Sequence, residues 1–289
     1  MKTYILTLIM ALCLALMAQA QAISVGFQAG LTSSKVSGEA DQLNGAILET
    51  FKFAGGFHVG ATVNFKFTDD FGVRSGLVFN QKGGKYTFNG PSYFVFSRQN
   101  TNQSPLITTT QRSTSLKYTN AYIDLPVMAY YKLGKFEVHG GLYGSILAAG
   151  SAGGRLKLTD IVTSAASPAG QEANFSLDYN YYSDGARSTR SFSVKEVRID
   201  DQPILVPSIL GAYYELNEKP KALFKTLDYG FTAGIFYFMN EALYIGVDGQ
   251  WGQADMTNQE VDYSLSERGV LRNDKDVNTS IKVSIGFSF

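Results

Sequence analysis

Eight stretches of this chain place an apolar side chain at every second position. The clearest is 57–67, where Phe57, Val59, Ala61, Val63, Phe65 and Phe67 alternate with His58, Gly60, Thr62, Asn64 and Lys66. A strand points successive side chains to opposite faces, so this pattern makes one greasy face and one small or polar face. The same reading applies to Val25, Phe27, Ala29 and Leu31, to Phe71, Val73, Leu77 and Phe79, and to Ile123, Leu125, Val127 and Ala129. It continues in Phe136, Val138, Leu142 and Ile146, then in Tyr229, Phe231, Ala233 and Ile235. Leu243, Ile245, Val247 and Trp251 follow, and the chain ends on Ile281, Val283, Ile285, Phe287 and Phe289. Each stretch runs to about ten residues, the length with which a tilted strand crosses a bilayer.

Alternation alone also suits a soluble sandwich or a lipocalin-like barrel. The connections separate these. Short ones around Thr68-Asp69-Asp70, Leu133-Gly134-Lys135 and Met239-Asn240-Glu241 alternate with long ones near 32–52, 87–118, 150–226 and 254–278. Tight turns at one end and long loops at the other are the asymmetry of outer-membrane barrels. The expected fold is therefore all-β: a transmembrane antiparallel up-and-down β-barrel of eight strands, with short periplasmic turns and long external loops. A ten-stranded barrel is the alternative, because Phe175, Leu177, Tyr179 and Tyr181 alternate up to a turn at Ser183-Asp184-Gly185. Against it, the return segment 187–199 carries Arg187, Arg190, Lys195, Glu196 and Arg198. Charge facing lipid costs roughly 2–4 kcal/mol at mid-depth, which puts this hairpin outside the membrane.

The start of the chain reads as an export signal. Lys2 precedes an apolar run over 4–17, and Ala18-Gln19-Ala20 has the small-x-small form of a cleavage site. The signal peptide is 1–20, or 1–22 if Ala20-Gln21-Ala22 is used, and 22–289 form the barrel domain with its long external region 150–226. No later run approaches the about 20 apolar residues of a spanning helix. With 25 basic and 25 acidic residues the charges cancel, which gives no field for nucleic acid. The only cysteine is Cys13, inside the expected signal, so the mature chain has no disulfide or thiolate chemistry.

Two sets of residues are candidates for a role beyond the wall itself. Phe65, Phe67, Phe71, Tyr131, Phe136, Tyr237 and Tyr244 flank the short turns, and Phe287 lies at the terminus; all are expected as an aromatic girdle at the lipid–water boundary. Lys66, Arg74, Lys82, Asp124, Glu137, Asp228, Asp248 and Lys282 fall on the inward faces. An eight-stranded barrel is just wide enough for its side chains to fill, and buried charge is costly unless paired. Their mixed signs therefore imply an internal salt-bridge network that plugs the lumen. His58 and His139 are the only histidines, and their different depths argue against a shared metal site or a catalytic pair. No catalytic residue, metal site or cofactor is expected. Gly55-Gly56 and Gly83-Gly84 precede no helix, so they do not form a phosphate loop.

A family resemblance adds to this reading. Val25-Gly26-Phe27-Gln28-Ala29-Gly30-Leu31 resembles the opening of the PorT-like outer-membrane β-barrel domain of Gram-negative bacteria, often labelled "porin family". Gly76-Leu77-Val78-Phe79-Asn80-Gln81-Lys82-Gly83-Gly84, Tyr122-Ile123-Asp124-Leu125-Pro126-Val127, Asp228-Tyr229-Gly230-Phe231 and Ile285-Gly286-Phe287-Ser288-Phe289 are similar to its other strands. The resemblance implies an integral outer-membrane location, and it supplies no catalytic residue. It also implies that the terminal Phe289 is read by the barrel-insertion machinery. Pro126 cannot donate to a ladder, so a bulge is expected there. The expected function is non-enzymatic, structural or in surface interaction, with a small-solute channel as the alternative. The expected partners are outer-membrane lipid, the insertion machinery and a surface protein or ligand at 150–226.

Overall fold

A computed structural model describes residues 22–97, 104–163, 171–190, 193–200 and 202–289; the expected signal peptide lies outside them. Eight strands form the body: β1 (Ala22–Ser37), β2 (Ala54–Lys66), β3 (Phe71–Phe96), β4 (Leu106–Leu133), β5 (Phe136–Val162), β6 (Leu227–Phe238), β7 (Leu243–Gly252) and β8 (Val277–Ser288). Each is antiparallel to the next, and β8 returns to β1 with Phe287 opposite Phe27. The ring is therefore closed. Closure leaves no open sheet edge, which lipid demands because no water is present to satisfy one.

Local chemistry makes the three tight turns. Phe67 and Thr68 both donate their N–H to the carbonyl of Phe71 in the first. Gly134 takes φ +63° in the second, a conformation that favours glycine. In the third, the Asn240 side chain accepts from the N–H groups of Ala242 and Leu243 at 3.0 and 2.7 Å, an Asx turn.

The ladder corrects the expectation at Pro126. No bulge occurs at Pro126. The β3–β4 register is unshifted there, and only the pairs opposite Gly76 and Leu77 drop out, as a missing N–H requires. Shifts lie instead in the β4–β5 ladder, one between Thr109 and Gln111 and one where Ala121 and Tyr122 face Ala149 and Leu147. At the second the extra residue is Ala148, and both Ala148 and Ala149 turn outward.

Strand length departs from expectation. The strands β3, β4 and β5 have 26, 28 and 27 residues, so much of the expected loops 87–118 and 150–226 is strand. The faces exchange character along the way. In the lower half of β4 the exposed residues are Ile123, Leu125, Val127 and Tyr131, and Asp124 and Tyr122 are buried. In the upper half Gln111, Ser113, Ser115 and Lys117 are outermost, and Leu116 turns inward. Lipid sets the first arrangement and water the second. The upper part therefore encloses an ordinary apolar core, in which Phe88, Phe94, Phe96, Leu156, Leu158 and Val206 are fully buried.

The region 150–226 completes this cap. The strand Ala173–Asn180 pairs with the upper part of β5, and Ile209–Leu210 lies parallel to it. The expected hairpin about 183–185 does not form. Val194–Ile199 pairs with Gln202–Pro207 instead, so the charged segment finds its own partner above the membrane. The membrane ring stays at eight because β6 pairs directly with the lower part of β5.

One member of the expected girdle belongs elsewhere. Phe71, Tyr131, Phe136 and Phe287 are exposed on the outer face, and Phe65, Phe67 and Tyr237 are partly so. Tyr244 is buried at 1% exposure. It shares the inward face with Gly246, Asp248 and Gln250, and its ring stacks on Phe236 at 4.3 Å.

Candidate functional site

The inward faces of the eight strands meet in a continuous polar column. At the short-turn end Phe236, Phe238 and Tyr244 form an aromatic floor. Above it Arg74 of β3 makes a two-pronged pair with Glu137 of β5, at 2.7 and 3.0 Å. Its Nε donates to Asn64 at 2.5 Å, and its guanidinium lies 5.0 and 5.1 Å from the ring centres of Phe236 and Tyr130. A planar fork held on both edges and both faces has no remaining freedom.

Glu137 and Asp248 share His139, whose Nε2 lies 2.7 Å from Asp248 and whose Nδ1 lies 3.8 Å from Glu137. Lys282 stands across the β7–β8 ladder from Asp248. Next comes His58, held between Thr32 at 3.1 Å and Ser284 at 2.9 Å. Lys82 then binds Asp124 at 3.0 Å and reaches Asp228 at 3.6 Å, over the ring of Tyr143 at 4.4 Å. Asn80 donates to Asp124 at 2.8 Å and to Gln250 at 3.4 Å. Because β3 and β7 are four places apart in a ring of eight, the Asn80–Gln250 contact spans the lumen diametrically.

Lys66 stands apart from this column. It is the last residue of β2, half-buried at the rim, and forms no ion pair among the described residues. The two histidines have separate hydrogen-bond partners, and Ser284 beside His58 is itself buried. Phe289 is exposed at the short-turn end, with its N–H on the carbonyl of Val25 at 2.8 Å. At the top of the column Asn120, Tyr122 Oη, Asp228 Oδ1 and Asn278 Oδ1 have no hydrogen-bond partner among the described residues. Buried polar atoms so placed are ordinarily bridged by internal water.

Above the column the cap encloses a cavity of about 200 Å3, which the sequence did not signal. Tyr86, Tyr118 and Tyr181 line it, with centroid separations of 6.2 and 6.1 Å in that order. Arg112 pairs with Glu215 at 2.6 Å and Arg272 with Glu49 at 2.9 Å on its wall. Asp262 and Asp276 also line it, within 4.8 Å of each other and of Asp274. Burial, and then the neighbouring Asp276 carboxylate, push Asp262 up to about 7. Asp276 rises to about 6 through burial, although Thr257 donates to it.

A closed ring with lipid-compatible side chains outside and charge inside is the architecture of outer-membrane barrels. "Outer membrane protein beta-barrel domain" matches residues 17–258. The chain belongs to this family. As a member of it, the protein is an outer-membrane β-barrel, and its short turns face the periplasm while its cap faces outward. Comparison with curated proteins found no match. Among solved structures, OprG from Pseudomonas aeruginosa is similar at 12% identity and TM-score 0.36, covering 93% of this chain and 96% of its own. Ail of Yersinia pestis, crystallised with the heparin analogue sucrose octasulfate, is 12% identical with TM-score 0.33, covering 93% and 100%. The outer membrane protease OmpT from Escherichia coli is 8% identical with TM-score 0.31, covering 93% and 97%. At these scores none of the three carries an argument about what this barrel does.

Proposed function

We propose that this outer-membrane barrel is PorT-like, non-enzymatic and closed to solutes, and that its work is done by the external cap. The observation that carries the reading is the Asn80–Gln250 contact at 3.4 Å. Two diametrically opposed strands touch through the lumen, with Gln250 also donating to Asp124 at 3.3 Å. A solute path would require breaking these bonds and the Arg74–Glu137 and Lys82–Asp124 pairs, each of which would strand a buried charge.

The non-enzymatic reading rests on the environment of the histidines. His58 has hydroxyls on both ring nitrogens rather than a carboxylate, and its Ser284 neighbour faces a filled lumen with no place for substrate. A hydroxyl becomes a nucleophile only beside an oriented base that a substrate can reach. Phe289 and the lipid-facing residues are the surfaces for the insertion machinery and for outer-membrane lipid. The cap, including 150–226, is the surface for a protein or small ligand.

Single-molecule recording in planar bilayers tests the closure. Purified protein should add no discrete current steps at ±100 mV in 1 M KCl, and the double substitution Asn80→Ala with Gln250→Ala should raise the frequency of brief openings. Reproducible wild-type open states would establish the solute-channel alternative in its place.

A further inference from the structure

The cap cavity has a chemical bias. Eight of the chain's 17 tyrosines line it, so its walls present ring faces, whose quadrupoles attract cations. Its ionic groups are unbalanced in the same sense. The two arginines on the wall are each matched by a glutamate, Arg112 by Glu215 and Arg272 by Glu49. Asp262 and Asp276 remain, and neither forms an ion pair among the described residues. Arg272 is already shared with Asp274 at 2.8 Å. Burial first, and then the neighbouring acids (Asp276 beside Asp262, Asp274 beside Asp276), raise both carboxyls in pKa against the partial relief of Arg272, and a bound cation would ease that repulsion.

Size narrows the ligand. An apolar cavity of about 150 Å3 accommodates benzene. The about 200 Å3 here therefore holds a body of roughly ten non-hydrogen atoms on the same scale.

We propose that the cap binds a small organic cation, with its ammonium group at Asp262 and Asp276 and its apolar body against the Tyr86–Tyr118–Tyr181 wall. Arg112 and Arg272, already held by glutamates, bound the site and disfavour a second positive charge. The proposal rests on the cap facing the medium above a plugged barrel. The two readings fail separately, since a conducting barrel could still bind the amine and a silent one could fail to.

Calorimetric titration of the full, refolded protein in detergent tests it with probes of one shape and three charges. Phenethylamine should bind one-to-one and at least tenfold tighter than 2-phenylethanol or phenylacetate. Asp262→Asn and Tyr118→Leu should each weaken the amine about tenfold, and Trp251→Phe, on the lipid face, should not change it. Heat-modifiable gel mobility shows that each variant is folded. The wild-type comparison alone is decisive if a variant is not. Equal binding of amine and alcohol would reduce the site to an apolar hole. Tighter phenylacetate would assign it to the arginines. Calcium binding that excludes the amine would make the aspartates a metal site, and no saturable binding of any probe would remove the site altogether. Each of these four results overturns the proposal.

Discussion

Glu137→Gln should be among the most damaging single substitutions in the barrel. Glu137 is fully buried and takes both prongs of Arg74. The amide keeps one acceptor but loses the charge, so Arg74 is left as a buried cation. Breaking such a pair from one side costs about 3–5 kcal/mol. Arg74 retains Asn64 and two ring faces, each ring worth about 0.5–2 kcal/mol to a cation. The lower end, about 3 kcal/mol, is therefore expected, or roughly two decades in the folding equilibrium. Removing both charges with Arg74→Met and Glu137→Leu should cost much less, about 1 kcal/mol, because apolar replacements also remove the desolvation penalty. Guanidinium unfolding from phosphatidylcholine vesicles measures both. Trp251 is the only tryptophan and lies on the outer face of β7, where its emission follows exit from the bilayer. A Glu137→Gln cost below about 1 kcal/mol, or a double substitution as damaging as the sum of its parts, would refute the reasoning.

The change of face along β4 gives a paired test: Leu125→Arg should cost about 2–4 kcal/mol, and Gln111→Arg, on the same face of the same strand but above the lipid, under about 0.5 kcal/mol, measured by the same unfolding. The cap should be more stable at pH 5 than at pH 8. Asp262 is raised to about 7, with Asp276, Arg272, Asp274 and Glu49 around it, so the folded state holds a proton that the unfolded state has released, and stability falls as pH rises from about 4 to 7. Near-UV circular dichroism melts should show this, and Asp262→Asn should flatten the dependence and raise the melting point at pH 8. Gly246→Ala would place a Cβ 2.1 Å from the ring of Phe236 and should cost about 1–3 kcal/mol by overpacking, with Phe236→Leu restoring most of it on a semi-native gel.

What could be read from the sequence follows from how strictly each environment selects side chains. Lipid accepts only apolar groups along the whole crossing, so Leu125, Val127 and their counterparts on seven other strands announce both the strand and its outer face. Water imposes no such rule. Gln111, Ser113, Ser115 and Lys117 form as regular a strand face as Ile123 and Leu125, yet their composition reads as loop, and the upper halves of β3, β4 and β5 are not legible as strand for that reason. Tyr244 is the opposite case. Its nearness to a turn points to the interface, whereas its parity with Asp248 and Gln250 puts it in the lumen. Parity is the stronger signal, because a side chain cannot change face without a bulge, whereas aromatics suit a floor as well as a girdle. The cavity left no trace in any local spacing. Its wall is drawn from segments as far apart as Glu49 and Asp276, brought together only because polar strands continued past the membrane and turned their apolar faces inward. A binding site made in this way is a product of closure, and a search along the chain for motifs will pass over it.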